Sequence, residues 1–202
     1  MKQRHIQTAA AFLLLAVAVA YRLCTGLAGS HSQWLPNFSP IAAIALCGAI
    51  FLTKRLALLV PLAALFLSDL VLNSHYGVSL FGVDMLSRYV ALGLIVALGW
   101  ALRGRPHSAT VLLAAAGGST LFYLITNTGS WLASSLYAKT LSGWVQALTT
   151  GLPGYPPTWV FFRNSLASDL LFTALFLVCM AATRQQPELR VPRAQRLEPS
   201  IP

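Results

Sequence analysis

The sequence predicts an all-α integral membrane protein with six transmembrane helices and both termini in the cytoplasm, and three observations lead there. Of the 202 residues, 56% are apolar and only 9% are charged, against about 45–50% and about 25% in an ordinary soluble domain. The apolar residues gather in six stretches, and a hydrocarbon core of ~30 Å takes about 20 such residues per helix. The basic residues stand in short clusters between those stretches, as topology signals do.

The first stretch, Thr8–Leu23, follows Lys2 and Arg4. Its Ala18-Val19-Ala20 also imitates a signal-peptide cleavage site, and cleavage would leave five spans and an external N-terminus. The second, Pro40–Leu52, and the fourth, Tyr89–Leu102, are short for a full span. The semi-apolar flanks Trp34–Phe38 and Val78–Val83 can lengthen them, or the bilayer can thin around them. Leu56–Leu72, Ala109–Ile125 and Ser165–Ala182 complete the set.

With the N-terminus inside, Lys2, Arg4, Lys54, Arg55, Arg103, Arg105, Arg184, Arg190, Arg193 and Arg196 face the cytoplasm, and only Arg22, Arg88, Lys139 and Arg163 face out. This asymmetry fits the positive-inside rule for a multi-pass protein of the bacterial inner membrane. Residues 1–183 then form one transmembrane domain. Residues 184–202, rich in Arg and Pro, read as a disordered basic cytoplasmic tail.

The inner turns, Thr53–Arg55 and Arg103–Ser108, are tight, whereas the outer loops, Cys24–Ser39, Asn73–Arg88 and Thr126–Asn164, are long and rich in Gly, Pro, Trp and Tyr. The last of these should hold a short interfacial helix near Leu141–Leu148. After it, Pro153, Pro156 and Pro157 keep the chain non-helical until the sixth span. Asn127 is expected to end the fifth span, with Gly129 permitting a sharp turn beside Trp131.

Several function classes drop out. No G-x-x-x-x-G-K-[ST], H-E-x-x-H or G-x-S-x-G occurs, so ATP-driven work would need a partner. The net charge of +9 comes without an aromatic-studded basic stripe, which argues against nucleic acid. Cys24, Cys47 and Cys179 are too scattered for a disulfide framework or a zinc pattern. No intrinsic cofactor is implied.

Of the five acids, Glu188 and Glu198 are in the tail, and Asp69, Asp84 and Asp169 fall at one outer depth. An ionised carboxylate inside a bundle is costly unless it is paired or faces a cavity, which makes this layer the candidate site. Arg88 lies at i+4 from Asp84, and Arg163 enters the same layer. Asp69 and Asp169 read equally as interhelical locks or as ligand contacts, and Asp84–Arg88 also reads as a plain helical ion pair. Around them fall Asn37, His31, His75, Tyr76, Tyr89, Asn127, Trp131, Tyr137, Lys139 and Trp144, a mixture suited to a large polar solute or to an aromatic belt. The tripeptides Ser68-Asp69-Leu70 and Ser168-Asp169-Leu170, one hundred positions apart, admit both chance and a half-repeat.

Pro36-Asn37-Phe38-Ser39-Pro40-Ile41, Pro61-Leu62 with Ser68-Asp69-Leu70, Thr126-Asn127 with Gly129 and Trp131, Leu136-Tyr137 with Lys139-Thr140, and Phe161-Phe162-Arg163-Asn164 with Asp169-Leu170 together resemble a family of small bacterial integral membrane proteins. More remotely, the six spans and long outer loops resemble the substrate-binding S components of energy-coupling-factor vitamin transporters, the solitary cobalamin transporters above all. That resemblance implies an S-component-like bundle that binds a vitamin-sized solute, cobalamin or a related corrinoid, from the outer side. It also implies a coupling subunit with ATPases that docks on small residues of the first helix, here Ala16 and Ala20. Where those transporters carry a cobalt-ligating cysteine this chain has Asp84, with Tyr89 five residues on, so Asp84 or His31 would be the cobalt-side contact. Substrate contacts implied with it are Asn37, Asp69, Asp84, Arg88, Tyr89, Asn127, Trp131, Tyr137, Arg163, Asp169 and His31. Two other classes stay open: an intramembrane enzyme using Asp and His as acid and base, and a structural or assembly protein whose polar layer is only a lock.

Overall fold

A computed structural model describes residues 13, 16–17, 19–27, 37–77, 79, 81–104 and 107–184 of the chain. The expectations for His31 and for the tail beyond 184 lie outside the described residues. Every regular element among the described residues is helical. The first helix, α1, includes residues 19–27. It is followed by α2 (Ile41–Phe51), α3 (Lys54–Tyr76), α4 (Val83–Ala101), α5 (Ser108–Ala133), α6 (Leu141–Leu148) and α7 (Thr158–Arg184).

Helices α3, α4, α5 and α7 are each long and apolar enough to cross a membrane. Their outer surfaces carry large apolar side chains such as Leu59, Leu113 and Val178, which suits lipid and not water. Each runs further than its apolar stretch. α3 extends to Tyr76, α4 begins at Val83, α5 continues through Trp131 to Ala133, and α7 starts at Thr158. A helix pays no penalty for carrying polar residues past the hydrocarbon, so apolar runs mark the membrane and not the helix ends.

The second stretch departs from a full span. α2 has 11 residues, ~16 Å at 1.5 Å per residue, about half of a ~30 Å hydrocarbon core. It is not lengthened through its flank: Asn37 has a left-handed backbone with φ of 66°, and Phe38 and Ser39 are non-helical. Nine of the 11 residues of α2 are buried, as expected of a helix apolar on every side. α2 is thus the axis around which α3, α4, α5 and α7 pack.

Both ends of α2 are held by side chains distant in the chain, from α7 at one end and from the α4–α5 turn at the other. At its N-terminus, where no local side chain caps the helix, Asp169 Oδ1 of α7 accepts from the Ala43 N–H at 3.1 Å. Ser168 Oγ donates to Ser39 O at 2.8 Å and Ser165 Oγ to Asn37 O at 3.2 Å, so one face of α7 stitches the segment leading into α2. At the C-terminus the Arg103 guanidinium donates to Ala49 O at 2.7 Å and also to Leu52 O. A carboxyl group at the N-terminal N–H groups and a cation at the last carbonyls both complement the helix dipole.

The sharp turn expected at Gly129 is not there. Gly129 is helical and buried, because α4 approaches α5 so closely that a Cβ would lie 2.5 Å from Ser87 Oγ. The C-terminus of α5 is instead closed by Lys139, whose ammonium donates to Leu132 O at 3.2 Å, Ser134 O at 2.7 Å and also Trp131 O. α6 falls at Leu141–Leu148, with Thr140 Oγ1 accepting from Gly143 N–H as its N-cap. Trp144 Nε1 donates to Thr128 at 2.9 Å, and Tyr123 Oη donates to Leu148 O. Trp144 therefore ties α6 to α5, a role beyond that of a belt residue.

Candidate functional site

A cavity of about 650 Å³ opens at the loop-rich end of the bundle. α1 contributes Arg22 and Thr25, the segment before α2 contributes Asn37 and Ser39, and α3 contributes Leu65, Leu72 and Asn73. Ser79 and Phe81 of the α3–α4 loop stand at its wall with Asp84, Met85, Arg88 and Leu92 of α4. α5 adds Ser119, Phe122, Thr126 and Ser130, and α7 adds Ser165 and Asp169.

The short length of α2 creates this space. Ile41 and Ala42, at the start of α2, line the cavity. Ser119 stands 11 positions into the 26-residue α5 and Asp169 11 positions into the 27-residue α7. A floor set by these residues lies near the middle of the long helices, and a full-length α2 would have filled the volume above it.

Two of the three aspartates carry opposite solutions to the same problem. Asp69, 1% exposed, accepts from Arg22 Nη2 at 2.5 Å and from Arg88 Nη2 at 3.1 Å. Its charge is spent between two guanidinium groups that line the cavity, so Asp69 locks the wall and the arginine edges face the space. Arg88 Nε is buried without a hydrogen-bond partner, which leaves it donor capacity. Asp169, buried at the floor, accepts from Ala43 N–H and from the Ser119 hydroxyl. Asp84 at the rim accepts from Ser130 Oγ at 2.9 Å and makes no ion pair with Arg88, because Arg88 turns to Asp69.

The remaining expected residues divide. Asn37 lines the cavity with Asp84, Arg88 and Asp169. Tyr89 packs against the apolar core with its hydroxyl buried and unpartnered. Asn127 donates to Tyr123 O at 2.8 Å on its own helix. Trp131 donates to Ala138 O at 2.9 Å, with the Lys139 ammonium 5.7 Å from its ring centroid. Tyr137 is half-buried in the α5–α6 loop, where burial pushes its phenol above the usual range. Arg163 is exposed, donates to Asn164 Oδ1 at 3.1 Å and stacks 5.6 Å from the Trp159 ring. Asn127, Trp131, Tyr137 and Arg163 therefore stand apart from the cavity lining. Tyr76 Oη donates to Gly26 O at 2.6 Å, joining α3 to α1.

Arg22, Ser119, Thr126 and Ser130 line the cavity without a sequence motif that marks them. Arg22 was visible as an isolated cation beside an apolar run, and its pairing with a residue 47 positions away leaves no local spacing signal. Among the described residues no cluster of three metal-ligating side chains occurs.

A family model matches residues 2–192, nearly the whole chain. The chain belongs to DUF6580, a family of unknown function. No curated protein and no solved structure matches it.

Proposed function

We propose that the chain is a multi-pass uptake protein of the bacterial inner membrane that takes a vitamin-sized polar solute into this cavity from the outer side. The cavity carries the reading: its ~650 Å³ lies within the ~300–1,000 Å³ common for small-molecule sites. Its walls combine apolar side chains, which supply burial, with a few polar groups that fix orientation. The guanidinium edges of Arg22 and Arg88 suit carboxylate, phosphate or carbonyl oxygens of a solute, and Asp84 at the rim suits a donor.

The orientation follows from charge. Lys54, Arg55 and Arg103 cluster at the tight-turn end, so the positive-inside rule directs the cavity outward. With α1 and α2 counted among the crossings, six membrane segments bring both termini to the cytoplasm. α2 then dips to mid-depth, as the interrupted helices of transporters do around their sites.

The resemblance to S components supports the same reading, with cobalamin or a corrinoid as its cargo. A corrinoid exceeds this cavity and would enter only in part, with Asp84 at the rim facing it, so smaller vitamins fit better. Ala16 and Ala20, exposed one turn apart on α1, leave a smooth face for a coupling subunit with ATPases.

A ligand bound only by the folded state stabilises it by mass action, ~2.7 kcal/mol at one hundred times Kd. Thermal unfolding of the purified protein in mild detergent should therefore shift upward with one or more of cobalamin, cobinamide, riboflavin, thiamine and biotin. Ala42→Trp, which fills the floor, should abolish the shift. A folded protein indifferent to every solute, or a shift that survives Ala42→Trp, would count against a solute site here.

A further inference from the structure

We propose that Asp169 is a proton-binding site at the cavity floor, and that occupancy of the cavity is linked to protonation of this one carboxyl group. The linkage rests on the reading of the cavity as a solute site, whereas the protonation does not.

The two Ser-Asp-Leu tripeptides stand in contrasting surroundings. Asp69 and Asp169 are 1% and 3% exposed, each beside a buried serine. Asp69 has two cations against it, and among the described residues no ion pair reaches Asp169. An ionised carboxylate buried in a membrane bundle without a counter-charge is disfavoured relative to its neutral form.

The groups around it supply hydrogen bonds and the partial positive end of the α2 dipole, but no full counter-charge. From α2 come the Ala43 N–H and, a turn deeper, the Cys47 thiol. From α5 comes the Ser119 hydroxyl, while Tyr123 is given to Leu148 O. α6 has no titratable side chain. α1 meets α7 through Tyr21 on Phe172, and its Arg22 is committed to Asp69. On α7 itself Thr173 lies one turn on, and Arg163 is held by Asn164. On α4, Arg88 faces Asp69 and Asp84 faces Ser130.

Apolar Leu46, Ile95 and Ala115 surround the carboxyl on its inner side. On the other side it borders the cavity, which gives a proton its route. On protonation an O–H bond forms at Oδ2 with a proton taken from solution through the cavity mouth. The bond to Ser119 then reverses, with Asp169 donating to Ser119 Oγ, while Oδ1 keeps the Ala43 N–H. A solute that displaces water from the floor disfavours the charged form further, so solute binding should weaken as pH rises past the titration of Asp169, by up to about tenfold per pH unit.

Infrared difference spectroscopy of the solute-free protein at neutral pH tests the site directly. A protonated-carboxyl carbonyl band is expected, persisting in Asp84→Asn, lost in Asp169→Asn and shifted in Ser119→Ala. Asp169→Asn, a mimic of the neutral acid, should also unfold closer to wild type than Asp169→Ala. No such band in the wild type, or a band unchanged by both Asp169→Asn and Ser119→Ala, would overturn the proposal. Because no solute is needed, a band at Asp169 without any solute binding would fault only the uptake reading. Solute binding without the band would fault only this one.

Discussion

Replacing Asp69 by alanine is expected to lower stability by ~3–5 kcal/mol, the range found when one partner of a buried ion pair is removed. The carboxylate is 1% exposed and holds Arg22 and Arg88, whose side chains are only 20% and 28% exposed. Its loss leaves two guanidinium groups facing one another in a low-dielectric wall with nothing between them. Arg22 comes from α1 and Arg88 from α4, so the damage should reach three helices at once. Thermal unfolding in detergent measures it. Asp69→Asn should recover little, since an amide keeps shape and not charge, whereas the double change Asp69→Asn with Arg22→Gln should recover part of the loss by removing one orphaned cation. An Asp69→Ala protein as stable as wild type would show that the lock bears no load.

The second large effect is expected at Gly99, far from the cavity. A Cβ there would lie 2.5 Å from Ala49 Cβ and 2.8 Å from Leu46 O, and the carbonyl is backbone that cannot swing aside. Gly99→Val must push α4 off α2, and overpacking of this kind costs about 1–3 kcal/mol or more. Gly93 sits on the same helix with nothing within 4 Å of an added Cβ, so Gly93→Ala should be neutral or gain up to about 1 kcal/mol from helix propensity. Unfolding midpoints of the two variants should move apart. Equal midpoints would mean that α2 and α4 are not seated as described.

Much of the architecture is legible in the sequence because bilayer solvation is a strong filter. The long apolar helices announce themselves by composition, and α6 is framed by the prolines that follow it. What escapes is set by contacts distant in the chain. The apolar run Pro40–Leu52 is short for a span and invites lengthening through Trp34–Phe38, yet its helix starts only at Ile41, after the left-handed Asn37 and where Asp169 of α7 meets the Ala43 N–H. Gly129 looks like a turn residue, and only the approach of Ser87 explains why it is helical. The Asp69–Arg22 pair is invisible to helical spacing, whereas the i+4 spacing of Asp84 and Arg88 pointed to a pair that the competition from Asp69 prevents. The aromatic and polar residues near the loop-rich end divide between cavity and scaffold for the same reason. Trp131 and Asn127 satisfy backbone carbonyls, a use that residue type alone does not reveal.

Whether the cavity opens to the outer side of the membrane is read by single-cysteine accessibility. Thr126→Cys, at the cavity wall, would be placed in a chain whose Cys24, Cys47 and Cys179 are replaced by alanine. Intact spheroplasts would then be treated with a membrane-impermeant maleimide. With an outward-facing cavity, the Thr126→Cys protein is labelled without lysis, and labelling is slowed by the solute that stabilises the purified protein. Labelling that appears only after the membrane is broken would contradict it.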